Sequence, residues 1–177
     1  MARMPKIVNL VASVVLIALF ELFVAQSQTN SVASKLVFRD PFVLKLRVDN
    51  QHYYEQHIDK VPYVSGDDVY LFAGDSFGIN VTIHDNMIMG IVYQSDPDKA
   101  DVAFSFMQEQ SSGGPMMILV TRNRLEHKLH CDALMTVPDK EGIFDTNILP
   151  VGPGLSSYET WPHPIVQLVL RNFRFAQ

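Results

Sequence analysis

Cysteine is nearly absent from this chain of 177 residues, since Cys131 is the single one. One thiol cannot form a disulfide within the chain, so the fold must be held by its hydrophobic core alone. Positive charge is also short, because 14 lysines and arginines stand against 19 aspartates and glutamates, a net charge of −5. An acidic domain has no general field that attracts phosphate backbones, so we expect no nucleic-acid partner.

Motifs that would specify a catalytic class are missing too. The chain has no Gly-x-Ser-x-Gly nucleophile elbow, and Cys131 lies in a strand-like stretch, where a thiol is more often inert core than nucleophile. The glycine-containing residues 74–78 resemble a turn between strands rather than a phosphate-binding loop, because no helical pattern follows them. The sequence therefore predicts no catalytic residues, assigns no cofactor and favours a protein that is not an enzyme.

One long hydrophobic run is present, at the N-terminus. Arg3 and Lys6 precede the apolar residues 7–24, and Ala25 and Ser27 then supply small side chains at the two positions that a signal peptidase reads. This order is typical of a signal peptide, so we expect residues 1–27 to be a secretory signal and the protein to be periplasmic or extracellular. An uncleaved anchor is the alternative, because the run is almost long enough to cross a bilayer, and it would be the protein's only contact with a membrane.

The remaining chain has the pattern of one β domain. Residues 28–34 are polar and form a tether, and residues 35–177 then show hydrophobic side chains at every second position, as in 42–48, 77–83 and 125–135. Alternation of this kind indicates half-buried strands, and no stretch sustains a helical period. We predict an all-β fold, an antiparallel β-sandwich of about eight strands with immunoglobulin-like or jelly-roll character.

Two segments interrupt the alternation. Residues 50–68 are predicted to be a loop or a short helix with strand remnants, and residues 150–164 a loop. Long loops on a β scaffold often carry function, and aromatic side chains with polar tips are common in protein interfaces and sugar-binding platforms. An alternative is that Tyr158 and Trp161 fold back and close one end of the sandwich. The candidate binding residues are Tyr53, Tyr54, Tyr63, Tyr158, Trp161 and His163.

Metal ligands are a weaker prediction. His127, His130 and Asp132 lie close together in sequence, but in a strand His127 points away from the other two, so one ion cannot collect all three. His52 and His57 are five residues apart, a spacing that suits neither a helix face nor a strand face, and they would need His163 as a third ligand.

Export, a single acidic domain and aromatic loops together favour a binding protein. We expect a small exported module that acts on a protein partner, as an inhibitor, an immunity protein or a subunit of an envelope assembly. A carbohydrate-binding sandwich is the first alternative and predicts coplanar exposed aromatic rings. A metal-binding protein or metal-dependent hydrolase is the second, and it predicts that several histidines and carboxylates converge. The sequon at Asn80 would matter only in a eukaryotic host.

Overall fold

The computed structural model describes residues 36–111 and 113–176, and in this part of the chain the fold is all-β. No helix that could span a membrane is found among these residues. The predicted signal and tether lie outside them, so the division of the chain into leader, tether and domain stays a prediction. The twelve strands are β1 (Phe42–Arg47), β2 (Tyr53–Ile58), β3 (Val64–Ser65), β4 (Asp68–Leu71), β5 (Asp75–His84), β6 (Met87–Gln94), β7 (Val102–Ser111), β8 (Gly114–Asn123), β9 (Leu129–Thr136), β10 (Phe144–Thr146), β11 (Ser156–Trp161) and β12 (Gln167–Phe175).

Ten of the strands form two five-stranded sheets, with the orders β10-β9-β12-β4-β3 and β11-β8-β7-β5-β6. The remaining two, β1 and β2, form a separate hairpin. The strand pairs in this part of the chain are antiparallel, as the alternation predicted. The all-β class is thereby confirmed, and the packing of the two sheets is consistent with a sandwich.

The core lies between the two large sheets. Phe77 and Ile79 of β5 pair with Phe104 and Val102 of β7, and all four side chains are almost fully buried. Successive side chains of a strand point to opposite faces, so the alternation read from the sequence places these residues inward. The hairpin of β5 and β6 turns at Asp85 and Asn86, whose φ angles of 48° and 60° suit a type I′ turn.

One charged pair is buried in this core. The side chain of Arg39 is only 4% exposed, and its guanidinium donates to both carboxylate oxygens of Asp75, at 3.3 and 2.6 Å. It also donates to the carbonyls of Pro62 and Tyr70 and lies 4.0 Å from the ring centre of Tyr63. Buried charges are tolerated when they are paired and fully hydrogen-bonded, so this cluster joins the segment before β1 to β4 and β5.

The two predicted loops are partly strands, which corrects the sequence interpretation. Residues 50–68 contain β2 and β3, and residues 150–164 contain β11. β2 was not predicted as a strand, because its charged and polar residues lack the apolar alternation of a half-buried strand. One of its faces is exposed, so polar side chains are accommodated there. The count of about eight strands was too low for the same reason, since short strands such as β3, β4 and β10 leave little periodic signal.

The β1–β2 hairpin packs against the core through one face. Leu44 and Leu46 of β1 and Ile58 of β2 are buried, and Phe42 makes an edge-on contact with Phe72 at 5.5 Å. The far end of β1 is attached to β7 by Gln108. The hairpin is therefore joined to the domain both by its buried face and by the end of β1.

Candidate functional site

The cleft beside the β1–β2 hairpin consists of two adjoining cavities that share Val137 and Lys140, and we call it the hairpin cleft. The first cavity has a volume of about 400 Å³ and the second about 470 Å³. The first is lined by Val48, Met135, Val137, Pro138, Asp139, Lys140, Phe144, Asp145, His163 and Pro164. The second is lined by Tyr54, Gln56, His57, Ile58, Asp59, Val61, Phe72, Thr136, Val137, Lys140, Gly142, Val166 and Gln167.

The first cavity is mainly apolar. Its walls are aliphatic side chains, two prolines and the ring of Phe144, which is 37% exposed. Asp139, Lys140, Asp145 and His163 supply its polar groups. An apolar hollow with a few polar groups at its border is the usual form of a site that takes one large side chain or a small ligand.

The segment between β9 and β10 forms the wall common to both cavities. Asp139 and Gly142 have φ angles of 60° and 108°, so the chain turns twice between Pro138 and Phe144. Glycine enters this left-handed region freely, and aspartate enters it more readily than most residues do. The run Pro-Asp-Lys-Glu-Gly at 138–142 is typical of a turn, so this wall could have been predicted from the sequence.

The second cavity is bordered by the edge of β2. His57, Ile58 and Asp59 are consecutive, so their side chains alternate between faces, yet all three line the cavity. The inward face of β2, with Tyr54, Gln56 and Ile58, therefore borders the cavity together with His57. The other wall comes from the end of β9 and the start of β12, with Thr136 and Gln167.

The hydrogen-bond pattern of β1 shows which backbone groups this edge exposes. The N–H of Arg47 donates to the side chain of Gln108 at 2.8 Å, and the Gln108 amide donates back to the Arg47 carbonyl at 3.0 Å. The backbone of Arg47 thus points away from β2, and Arg47 and its partner Tyr53 form a non-hydrogen-bonded pair. By alternation, the backbone N–H and C=O of Tyr53, Glu55 and His57 point to the open edge of β2.

The turn of the hairpin is fixed by Asp49. Its carboxylate accepts hydrogen bonds from the N–H groups of Gln51 and His52, at 2.7 and 2.8 Å, and from the His52 ring at 2.7 Å. The bond from Gln51 and those from His52 lower the pKa of Asp49 to about 2. The carboxylate is therefore ionised at neutral pH and holds His52 in the turn.

The outer face of the hairpin is polar and carries one exposed aromatic ring. Tyr53 is 53% exposed, and the ammonium of Lys45 lies 4.9 Å from its ring centre. Lys45 is also paired with Glu55 directly across the two strands. The hydrogen bond and charge of Glu55 raise the pKa of Lys45. This face therefore presents a tyrosine with a cation beside it, as protein interfaces often do.

Titratable side chains around the cleft are mostly acidic. The carboxylates of Asp59, Asp139 and Asp145 outnumber the single ammonium of Lys140. The imidazole of His57 lies 3.5 Å from the carboxylate of Asp59. The hairpin cleft thus has a local negative charge in addition to the acidic character of the whole chain.

The structure places the predicted aromatic residues in different environments. Tyr54 and His163 line the cleft, and the Tyr54 hydroxyl donates to Gln56 at 2.7 Å. Tyr63 belongs to the core, stacked on Tyr93 at 4.5 Å, and Trp161 is 7% exposed with its ring N–H donated to Thr146. Tyr53 and Tyr158 are exposed, but on strands rather than on loops. The prediction that these residues lie in loops is therefore wrong for Tyr53, Tyr54, Tyr158 and Trp161, which lie on β2 and β11, whereas Tyr63 and His163 lie outside the strands.

The candidate metal ligands do not converge. Among the described residues no group of three or more histidines, cysteines, aspartates or glutamates could hold a metal ion. His127 precedes β9 and packs against Phe175, whereas Asp132 accepts hydrogen bonds from Asn172 and Arg174, which lower its pKa. His130 lies 3.8 Å from Asp132, and His52 and His57 pair with separate carboxylates, Asp49 and Asp59.

Cys131 is an inert part of the core in this structure. It is 6% exposed, and burial raises the pKa of its thiol to about 12. A buried thiol that stays protonated is a poor nucleophile and a poor metal ligand.

Comparison with protein-family models, with curated proteins and with solved structures gives no significant match.

Proposed function

We propose that this chain is a small exported binding module that takes part of a protein partner into the hairpin cleft. The observation that carries the proposal is the first cavity, an apolar hollow of about 400 Å³ with carboxylates at its border. Interfaces gain most of their affinity where one large side chain fills such a hollow and water is excluded around it. Within this proposal the chain is an inhibitor, an immunity protein or a subunit of an envelope assembly.

Export is part of the same proposal and is supported by the sequence. Residues 1–27 combine Arg3 and Lys6, an apolar run and small residues at the exit, and they lie outside the described residues. The protein works in the periplasm or outside the cell, either free or held by an uncleaved N-terminal segment. Within the all-β class we assign it an immunoglobulin-like or jelly-roll sandwich, supported by two five-stranded antiparallel sheets.

A protein partner suits the surface better than a polysaccharide does. A sugar-binding platform needs exposed rings in one plane, and the exposed tyrosines Tyr53 and Tyr158 belong to different sheets. Trp161, the strongest candidate for stacking on a sugar, is in the core. We therefore rank carbohydrate binding and metal-dependent hydrolysis below protein binding.

Native mass spectrometry of the protein from the exported fraction of its own host, isolated without chelator, tests this proposal. We expect a chain that begins at residue 28 and carries a discrete second protein. A chain without a second protein would contradict the proposed function, whether it is bare or holds a metal. A chain that keeps residues 1–27 would contradict the proposed cleavage.

Two serine variants locate the binding surface in the same experiment. Phe144→Ser removes a ring from the first cavity, and Tyr158→Ser removes an aromatic side chain, 72% exposed, from β11. We expect the partner to be lost with Phe144→Ser and kept with Tyr158→Ser. The reverse result would place the partner on β11 and refute the role of the hairpin cleft.

A further inference from the structure

We propose that the hairpin cleft recognises an extended segment of a partner, which adds as a strand to the open edge of β2 and alternates apolar with basic side chains. This inference rests on the proposed function and names the chemistry of the partner. It requires three properties of the site: free backbone groups, room for side chains, and charge of the opposite sign.

The backbone groups are supplied by β2. Tyr53, Glu55 and His57 direct their N–H and C=O groups away from β1, as the Gln108 contact with Arg47 requires. Among the described residues, β1 is the only strand that pairs with β2. A six-residue edge with three outward residues can hold an extended segment by main-chain hydrogen bonds, the mode known as β-strand addition.

The two edges of the hairpin differ in this respect. On β1, the outward groups of Arg47 are already bonded to the Gln108 amide, which acts there as the next strand would. On β2, the edge faces the second cavity, of about 470 Å³, with Thr136 and Gln167 on its far side. The hairpin therefore has one edge joined to the domain and one edge, beside the second cavity, that has no second paired strand among the described residues.

The side-chain requirement follows from the two faces of the hairpin. Tyr54, Gln56 and Ile58 share the inward face with Leu44 and Leu46. In an added strand, every second side chain points to that face, towards the cavities of the cleft. The second cavity, which borders β2, has apolar wall residues that include Ile58, Val61 and Phe72, so the inward side chains of the segment should be aliphatic or aromatic.

The charge requirement follows from the carboxylates at the cleft. Asp59, Asp139 and Asp145 outnumber the single ammonium of Lys140. Opposite charge favours encounter and rejects acidic competitors, so the polar side chains of the segment should be lysine or arginine.

Two synthetic hexapeptides test the recognition directly on the full chain expressed with its own N-terminal segment. The probe is acetyl-Lys-Val-Lys-Phe-Lys-Val-amide, and its control carries glutamate in place of each lysine. We expect the lysine peptide to bind at least about tenfold more tightly, measured by calorimetry at low salt. Equal affinity for both peptides would overturn the inference, and so would no binding of the lysine peptide up to about 1 mM.

A matched pair of proline variants tests the edge itself. Glu55→Pro removes an N–H that faces the open edge of β2, and Lys45→Pro removes its cross-strand counterpart, which faces the other edge. Both variants lose the same Lys45–Glu55 ion pair, so they control for its effect on the hairpin. We expect Glu55→Pro to weaken peptide binding about tenfold and Lys45→Pro to change it less than about twofold, at similar melting temperatures.

The outcomes separate this inference from the proposed function. An equal loss in both proline variants, or no loss with Glu55→Pro, overturns strand addition at β2. If the natural partner still co-purifies and is still lost with Phe144→Ser, the binding module stands and only the extended, basic segment is wrong. If the lysine peptide binds through β2 but no partner protein is found, the proposed function fails while the peptide specificity of the cleft stands.

Discussion

The buried pair of Arg39 and Asp75 offers a sharp test of how this fold is held together. Asp75→Asn keeps the shape of the side chain but leaves the guanidinium of Arg39, 4% exposed, without a counter-ion. Removal of one partner of a buried ion pair costs about 3–5 kcal/mol. Two carbonyls and the ring of Tyr63 still contact the guanidinium, so we place the loss near 3 kcal/mol, at the lower end.

A double-mutant cycle separates the interaction free energy of Arg39 and Asp75 from the effect that each substitution has on the rest of the fold. Arg39→Met removes the cation and should cost a similar amount, since Asp75 keeps only its hydrogen bond from the Phe72 N–H. The double variant Arg39→Met/Asp75→Asn has no uncompensated charge, so it should be less destabilised than the sum of the singles by about 2 kcal/mol.

Urea unfolding of the four proteins provides the free energies, and thermal unfolding should show a fall of roughly 6–12 °C for Asp75→Asn. Additive losses in the cycle would show that the two groups do not act as a pair. A loss below about 1 kcal/mol for Asp75→Asn would show that Arg39 is solvated, contrary to its burial.

Three further predictions concern the core of the domain. Gly78→Ala places a Cβ 2.2 Å from that of Ala100 and should lower the free energy of unfolding in urea by about 3 kcal/mol. In the control Gly90→Ala the new Cβ meets nothing within 4 Å, so stability should change by less than about 1 kcal/mol. Equal effects of the two variants would refute the close approach at Gly78. Asn123→Ala removes the side-chain donor to the carbonyls of His127, Val151 and Gly152 and the acceptor of the Leu125 N–H, although the carbonyls of Val151 and Gly152 keep the backbone N–H groups of Leu129 and Leu155 as donors. The substitution should cost about 2 kcal/mol in thermal unfolding, and a change below about 0.5 kcal/mol would contradict the buried network. Cys131 should resist iodoacetamide at pH 8, where its raised pKa keeps the thiol protonated, and should react only when urea is present. Mass spectrometry detects the adduct. Rapid labelling of the folded protein would contradict the burial of Cys131.

The strands of the core were predictable because both of their determinants are local. In β5 and β7 the apolar residues alternate without interruption, and the Asp85–Asn86 turn supports the left-handed conformation that the β5–β6 hairpin needs. Strands of this kind can be predicted from a window of about ten residues of sequence.

The hairpin cleft was not predictable, because it depends on contacts between distant segments. The sequence of β2 resembles a polar loop. The structural reason is that its outer face, with Tyr53, Glu55 and His57, is exposed and its edge is open, so these positions do not require apolar side chains. Its position as a strand is set by pairing with β1 and by the contact of Gln108 with Arg47, 61 residues apart in sequence. The sequence did single out Tyr54, His57 and His163, which line the cleft, but for aromatic or metal-binding roles and not for their place beside a cavity.

Trp161 shows the opposite failure. A lone tryptophan between polar residues and prolines suggested a binding loop, yet its ring lies against Phe106 and donates to Thr146. The alternative reading, that this residue closes the core, agrees with its burial. Tyr158, expected to do the same, points outward instead, as the alternation along β11 requires.

Hydrogen exchange on the complex with the natural partner, compared with the free protein, tests the central claim most directly. We predict that binding slows exchange at the outward N–H groups of Tyr53, Glu55 and His57 and in the 136–145 wall of the cleft, and leaves β6 and β11 unchanged. Protection confined to β6 or β11, with the hairpin cleft exchanging as in the free protein, would contradict the account.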